Sequence, residues 1–113
     1  MSRFLYHMAK RSEWEQGEAE GAYRGSADDR RDGFMHFSTA EQVVESAAKH
    51  RAGQTDLLLI VVAEDGIGPW KWEIARNGAL FPHLYGHLPP AIAVGVHELP
   101  LGDDGLHVFP PLL

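Results

Sequence analysis

Hydrophobic positions recur along this chain sometimes every second residue and sometimes every third or fourth, and the changes of period mark its elements. Phe4-Leu5-Tyr6-His7-Met8 is short, aromatic-rich and bounded by polar residues, which predicts a first strand. Ser12-Glu13-Trp14-Glu15 has the S-x-x-E spacing of a capping box and predicts a short helix ending near Gly17 or Gly21. The stretch from Gly21 to Gly33, with its glycines, Asp28, Asp29 and the arginines Arg24, Arg30 and Arg31, reads as a loop. Phe34 to Phe37 is a second short strand. Ser38-Thr39-Ala40-Glu41 repeats the capping spacing, with Ser38 as the cap. Behind it Ala40, Val43, Val44, Ala47 and Ala48 form one apolar helical stripe. Lys49, His50 and Arg51 then fall in the last turn before Gly53, where positive charge suits the helix dipole.

The second half of the chain reads mostly as strands. Leu57 to Ala63 is a continuous apolar run, the pattern of a strand covered on both faces. Lys71-Trp72-Glu73-Ile74-Ala75 alternates and predicts a half-buried strand, followed by a hairpin-type turn at Asn77-Gly78. Phe81 through Pro90 contains three prolines and Gly86, which predicts an ordered loop packed by Phe81, Leu84 and Tyr85. Ala91 to Val96 is a last strand, and Leu106 to Phe109 adds an edge that Pro110-Pro111 stops. Strand, helix, strand, helix and then several strands make an α+β chain with a mainly antiparallel sheet and two short helices.

At 113 residues with no internal repeat or linker, the expectation is a single domain over 1–113. Hydrophobic residues at 44% and charged residues at 23% are ordinary globular usage and argue against disorder. There is no cysteine, so disulfides, thiolate metal sites and cysteine nucleophiles are excluded. Arg3, Lys10 and Arg11 are not followed by a long apolar stretch, and Leu57 to Ala63 is far too short to span a bilayer. A cytoplasmic location, with no membrane partner, is expected. A net charge of −6 makes RNA or DNA a poor expected partner, because such binding draws on phosphate neutralisation. Arg24, Arg30 and Arg31 are the candidates for a local basic patch.

Histidines carry most of the candidate chemistry. His36 and Ser38 point the same way from an extended segment, beside the free N–H groups of a helix start. That arrangement suits a ribose, a phosphate or a carboxamide, although a capping Ser38 and a core His36 explain the same spacing. His7 ends the first strand and converges on His36 if the two strands are neighbours. His83 and His87 stand four residues apart, a zinc-like spacing that requires a helix which Pro82, Gly86 and Pro89 oppose. No metal is expected, and metal-dependent hydrolysis through His36, His83 and His87 is the weakest of the readings. Glu73 is a candidate base or ribose acceptor, and equally the solvent-facing member of an alternating strand.

Tyr6-His7, Gly21-Ala22-Tyr23, Gly33-Phe34-Met35-His36-Phe37-Ser38, Glu73 and Phe81-Pro82-His83-Leu84-Tyr85-Gly86 together resemble a bacterial family, domain of unknown function 952, over nearly the whole chain. Tyr6-His7, Met35-His36-Phe37-Ser38 before a helix, and Asn77-Gly78-Ala79-Leu80 also resemble, more distantly, the motif order of RNA 2′-phosphotransferases. That second resemblance implies an ADP-ribosyltransferase-like split sheet that clamps NAD in a cleft. It implies that His7 and His36 contact the nucleotide and that Ser38 lies near the nicotinamide ribose. Met8-Ala9 departs from the Gly-Thr those enzymes carry after the first histidine. On this reading the catalytic candidates are His36, Glu73 and His83. The ligand-binding candidates are His7, Tyr23, His36, Ser38, His83 and Tyr85, with Tyr23 or Tyr85 stacking on a ring. The expected function is binding of NAD or an ADP-ribose-type nucleotide, with transfer of ADP-ribose or a phosphate-linked group. The alternative is a non-catalytic module that binds a small ligand or a protein through the same surface.

Overall fold

The computed structural model describes residues 3–75 and 78–112. Its regular elements are β1 (Phe4–Lys10), α1 (Arg11–Glu20), α2 (Ala27–Asp32), β2 (Met35–His36), α3 (Ala40–His50), β3 (Leu57–Ala63), β4 (Trp70–Ile74), β5 (Leu80–Leu84) and β6 (Gly95–Leu99). The strands form two three-stranded antiparallel sheets, in the orders β1-β3-β6 and β2-β5-β4. The sheets are joined where Tyr6 and Ser38 exchange backbone hydrogen bonds of 2.8 Å in both directions. The chain is therefore α+β with antiparallel sheets and short helices.

The apolar pattern explains the layering. On β1, Leu5 and Ala9 turn to one face with Leu58, Ile60 and Val62 of β3. They meet Met35, Phe37 and Leu84 from the second sheet, together with Trp14 and Tyr23. On the opposite face Tyr6, Met8, Leu57, Leu59 and Val61 are covered by Val43 and Ala47 of α3. β3 is thus the strand buried on both sides, which is why it reads as an unbroken apolar run. The helical stripe is narrower than its sequence pattern: Val43 and Ala47 are buried, whereas Val44 is 51% exposed and Ala48 also faces solvent.

Several sequence expectations are corrected. The Gly21–Gly33 loop contains α2, capped by Ser26, whose hydroxyl accepts the Asp29 N–H while the Asp29 carboxylate accepts the Ser26 N–H. The capping spacing predicted for α1 is unused, because that helix starts at Arg11 with Lys10 as its cap. α3 is capped by Thr39 rather than Ser38, and the Gln42 side chain accepts the Thr39 N–H. The predicted strand at Ala91 to Val96 begins instead as a turn of 3-10 helix over Pro90–Ile92, and β6 is displaced to Gly95–Leu99. Leu106 to Phe109 contributes a single bridge, Leu101 to His107. The turn expected at Asn77-Gly78 falls partly outside the described residues, at Asn77. Gly78 closes that hairpin at φ +84°, where glycine is favoured.

The largest correction is β5. Leu80–Leu84 is the central strand of its sheet even though it contains Pro82. The Pro82 carbonyl accepts the Phe37 N–H at 3.1 Å, so this residue's hydrogen-bonding edge faces β2. The missing N–H therefore falls on the β2 side, where pairing has already stopped after His36. The proline is tolerated because it ends a two-residue pairing instead of interrupting a long one.

Candidate functional site

The register of the second sheet builds a row of side chains. His36 pairs with His83, and His83 pairs with Lys71, so the three stand side by side on one face. Met35, Phe37 and Leu84 take the opposite face and are buried. The His36 and His83 rings meet edge to face at 5.2 Å. Phe34, two residues before His36, stacks on the His83 ring at 4.1 Å and also touches Tyr85 and His36.

Each histidine of the row is held by a carboxylate. Glu73 accepts from His83 Nδ1 at 2.8 Å and from the Tyr85 hydroxyl at 2.7 Å. Those two bonds, His83 first, hold the Glu73 carboxyl below its ordinary range, and the same contact raises Tyr85. His83 Nδ1 is thereby the donor, and its Nε2 meets no hydrogen-bond partner among the described residues. His36 Nδ1 donates to Asp29 Oδ1 at 2.5 Å, and its Nε2 lies 3.4 Å from Asp32.

Asp29 is 3% exposed and accepts from the Ser26 N–H, the His36 N–H and the His36 ring. Burial alone pushes its carboxyl up. The bond from His36, the nearby His7 and the Ser26 N–H outweigh burial and bring the pKa to about 2. Gly25 makes room for this carboxylate. It sits at φ +90°, and a Cβ there would lie 2.5 Å from Asp29 Oδ2.

Beneath the row lies a second, fully buried network. His7 Nδ1 is 2.7 Å from the His36 carbonyl, which can only accept, so Nδ1 carries the proton. Nε2 then accepts the Tyr23 O–H at 2.7 Å. Asp29 lies 3.9 Å away and favours a charged ring, but burial is the larger influence and lowers the His7 pKa. A neutral ring leaves Nε2 free to accept the Tyr23 O–H. Burial, followed by the charges of Asp29 and Glu13, raises Tyr23 and keeps it a donor.

The two networks flank a cleft of about 580 Å³ between the sheets. Its lining includes His36, Phe81 and His83 from the second sheet, Ser38 where the sheets join, Tyr6, His7 and Met8 from β1, and His50 and Arg51 from the end of α3. Ser38 does not cap α3, and its hydroxyl bonds no described residue. Arg31 pairs with Asp28 and Asp32, whereas Arg51 has no carboxylate partner among the described residues and reaches Gln54 at 3.4 Å. Of the residues singled out from the sequence, His36, Ser38, His83 and His7 come together here. His7 forms floor, with both ring nitrogens already bonded. Glu73 and Tyr85 stand behind His83, and Tyr23 is buried behind His7. Among the described residues no group of three His, Cys, Asp or Glu side chains is placed to hold a metal ion. Sequence reasoning missed Asp29, Phe34 and Arg51. The S-x-x-D spacing of Ser26 and Asp29 was the available signal for the first.

Fold and site together define a small α+β domain of two antiparallel sheets with a histidine-lined cleft between them. The family model described as "Protein of unknown function (DUF952)" matches residues 8–96, and the chain belongs to this family. It is similar to protein CC0527 from Caulobacter crescentus, whose crystal structure is 42% identical, covers 93% of each chain and superposes with a TM-score of 0.87. The solution NMR structure of the same protein gives 41% identity, coverage of 91% of this chain and 90% of that one, and a TM-score of 0.81. No curated protein matches the sequence. Among the described residues no helix is long and apolar enough to cross a membrane.

Proposed function

We propose that this domain binds NAD or a related ADP-ribose-type nucleotide in the cleft between its sheets and transfers the ADP-ribosyl group from it. The observation that carries the reading is Arg51. It is a cation without a carboxylate partner among the described residues, on a cleft whose lining also includes His83 and Ser38. A diphosphate fits the guanidinium, which binds such oxygens in pairs. Ser38 and Ser46 suit ribose hydroxyls, and Phe81 gives an aromatic wall. The cleft volume is that of a small-molecule site.

The chemistry follows from position. The C–N bond from ribose to nicotinamide breaks with its electron pair leaving on nicotinamide. An acceptor oxygen forms the new bond to the ribose carbon. His83 Nε2 takes the acceptor's proton, because Glu73 fixes Nδ1 as the protonated nitrogen and leaves Nε2 as a base. His36, held by Asp29, stands beside it and positions the nucleotide. Met8 lines the cleft where a glycine would let nicotinamide approach the backbone, so the ring must lie against a thioether.

Calorimetry with ADP-ribose and with NAD tests this reading. Saturable binding to the wild type, weakened about tenfold in Arg51→Gln, is expected from loss of one charge-assisted contact. Absence of binding up to millimolar ligand would remove the nucleotide and leave the non-catalytic module as the better account of the cleft.

A further inference from the structure

A second groove lies outside the cleft. It has a volume of about 310 Å³ and is lined by Arg24, Arg30, Gly33, Phe34, Gly86 and His87, with Met35 and Asp29 at its base. These residues come from two stretches of the chain, 24–35 and 86–87. The Tyr23 and Leu88 backbones exchange hydrogen bonds of 2.8 Å, which sets Arg24 opposite His87 one position along the bridge. Arg30 approaches from α2.

Charge accounting separates these arginines from most of the others. Arg3 pairs with Glu64, Arg11 with Asp56 and Glu98, and Arg31 with Asp28 and Asp32. The side chains of Arg24 and Arg30 make no hydrogen bond or ion pair among the described residues, in a chain whose net charge is −6. The acid at the base of the groove is no partner for them, because the Asp29 oxygens already accept from Ser26 and His36. Gly33 and Gly86 leave open space where a Cβ would stand, so an anion can approach the backbone on both sides. Phe34 supplies an apolar wall.

We infer that this groove is an anion site for a phosphate-type group, gripped by Arg24 and Arg30 with His87 as a third donor. The inference stands apart from the nucleotide reading of the cleft. Two guanidiniums and an imidazole around a glycine-flanked hollow supply the forked donors that a tetrahedral oxyanion requires.

The test is an amide NMR titration of the full chain with inorganic phosphate and, separately, with AMP. The expected result is saturable shifts at Arg24, Gly33, Phe34, Gly86 and His87. Affinity should fall about tenfold or more in the Arg24→Gln/Arg30→Gln double variant. Arg3→Gln, which removes one exposed charge elsewhere, should bind as the wild type does. Both substituted arginines are exposed, and an unchanged amide spectrum away from the groove checks the fold of the double variant. Tighter binding of AMP, with shifts extending over Phe34, supports the site with the phosphate as one end of a larger ligand. Equal affinity supports it as a site for the free oxyanion. No saturable shifts at these amides, or equal loss in Arg3→Gln, overturns the inference. Shifts at Ser38 and Arg51 report the cleft separately, so the two proposals fail independently.

Discussion

His7 and His83 carry the same ring into opposite circumstances. His7 lies under the cleft with both nitrogens committed, one to a backbone carbonyl and one to Tyr23. His83 stands in the cleft wall with one nitrogen fixed by Glu73 and the other bonded to nothing described. The first histidine is consumed in fixing the strand that carries His36. The second has a lone pair to spend on a ligand. A histidine motif in a sequence is thus an ambiguous sign, and what resolves it is how many of the ring's nitrogens the fold already uses.

The sharpest way to break this contrast is at Asp29, where the buried and exposed networks meet. Asp29→Ala leaves the Ser26 and His36 N–H groups and the His36 ring without their acceptor. It should lower stability by about 3 kcal/mol in urea unfolding and free the His36 ring.

Acid should act in two windows. The His7 pKa is lowered in the fold, so the unfolded chain binds the proton more readily. Above 6.5 the ring is neutral in both states and costs nothing, and stability falls as pH drops from 6.5 toward the lowered folded value. Asp29 adds a second loss, from its unfolded value near 3.8 toward its folded value of about 2, worth about 2 kcal/mol. Urea midpoints measured from pH 8 to pH 2 should fall in both windows, and His7→Gln, which removes the titrating ring, should abolish the first.

The smallest effect is expected at the exposed end. Glu73→Gln should leave the urea midpoint unchanged, since Glu73 is on the open face, yet it should slow any turnover of NAD by freeing the His83 tautomer. A stability loss comparable to that of Asp29→Ala would place Glu73 with the structural network.

Legibility in the sequence followed the apolar pattern. Leu57–Ala63 was readable to its ends because a strand buried on both faces leaves a continuous signal. The His36-Ser38 placement was readable from an alternating segment running into a helix start. α2 was not, because its cap uses Asp29 where the familiar box has Glu, within a run dominated by glycine and charge. β5 was hidden by Pro82, whose cost depends on which neighbouring strand its nitrogen faces, a property of the register. Asp29 was unreadable as a site residue for a similar reason. Among Asp28, Asp29 and Asp32, the three-residue spacing from Ser26 and the room left by Gly25 decide which one turns inward.

The central claim is that the cleft, with His83 and His36 on its wall and His7 sealed beneath, receives a nucleotide. The most direct measurement is imidazole NMR of the wild-type chain during titration with ADP-ribose. The account predicts saturable shifts of the His83 and His36 rings while His7 keeps its Nδ1-protonated signal. Saturation with no change at His83 and His36, or displacement of the His7 tautomer as the main response, would contradict it.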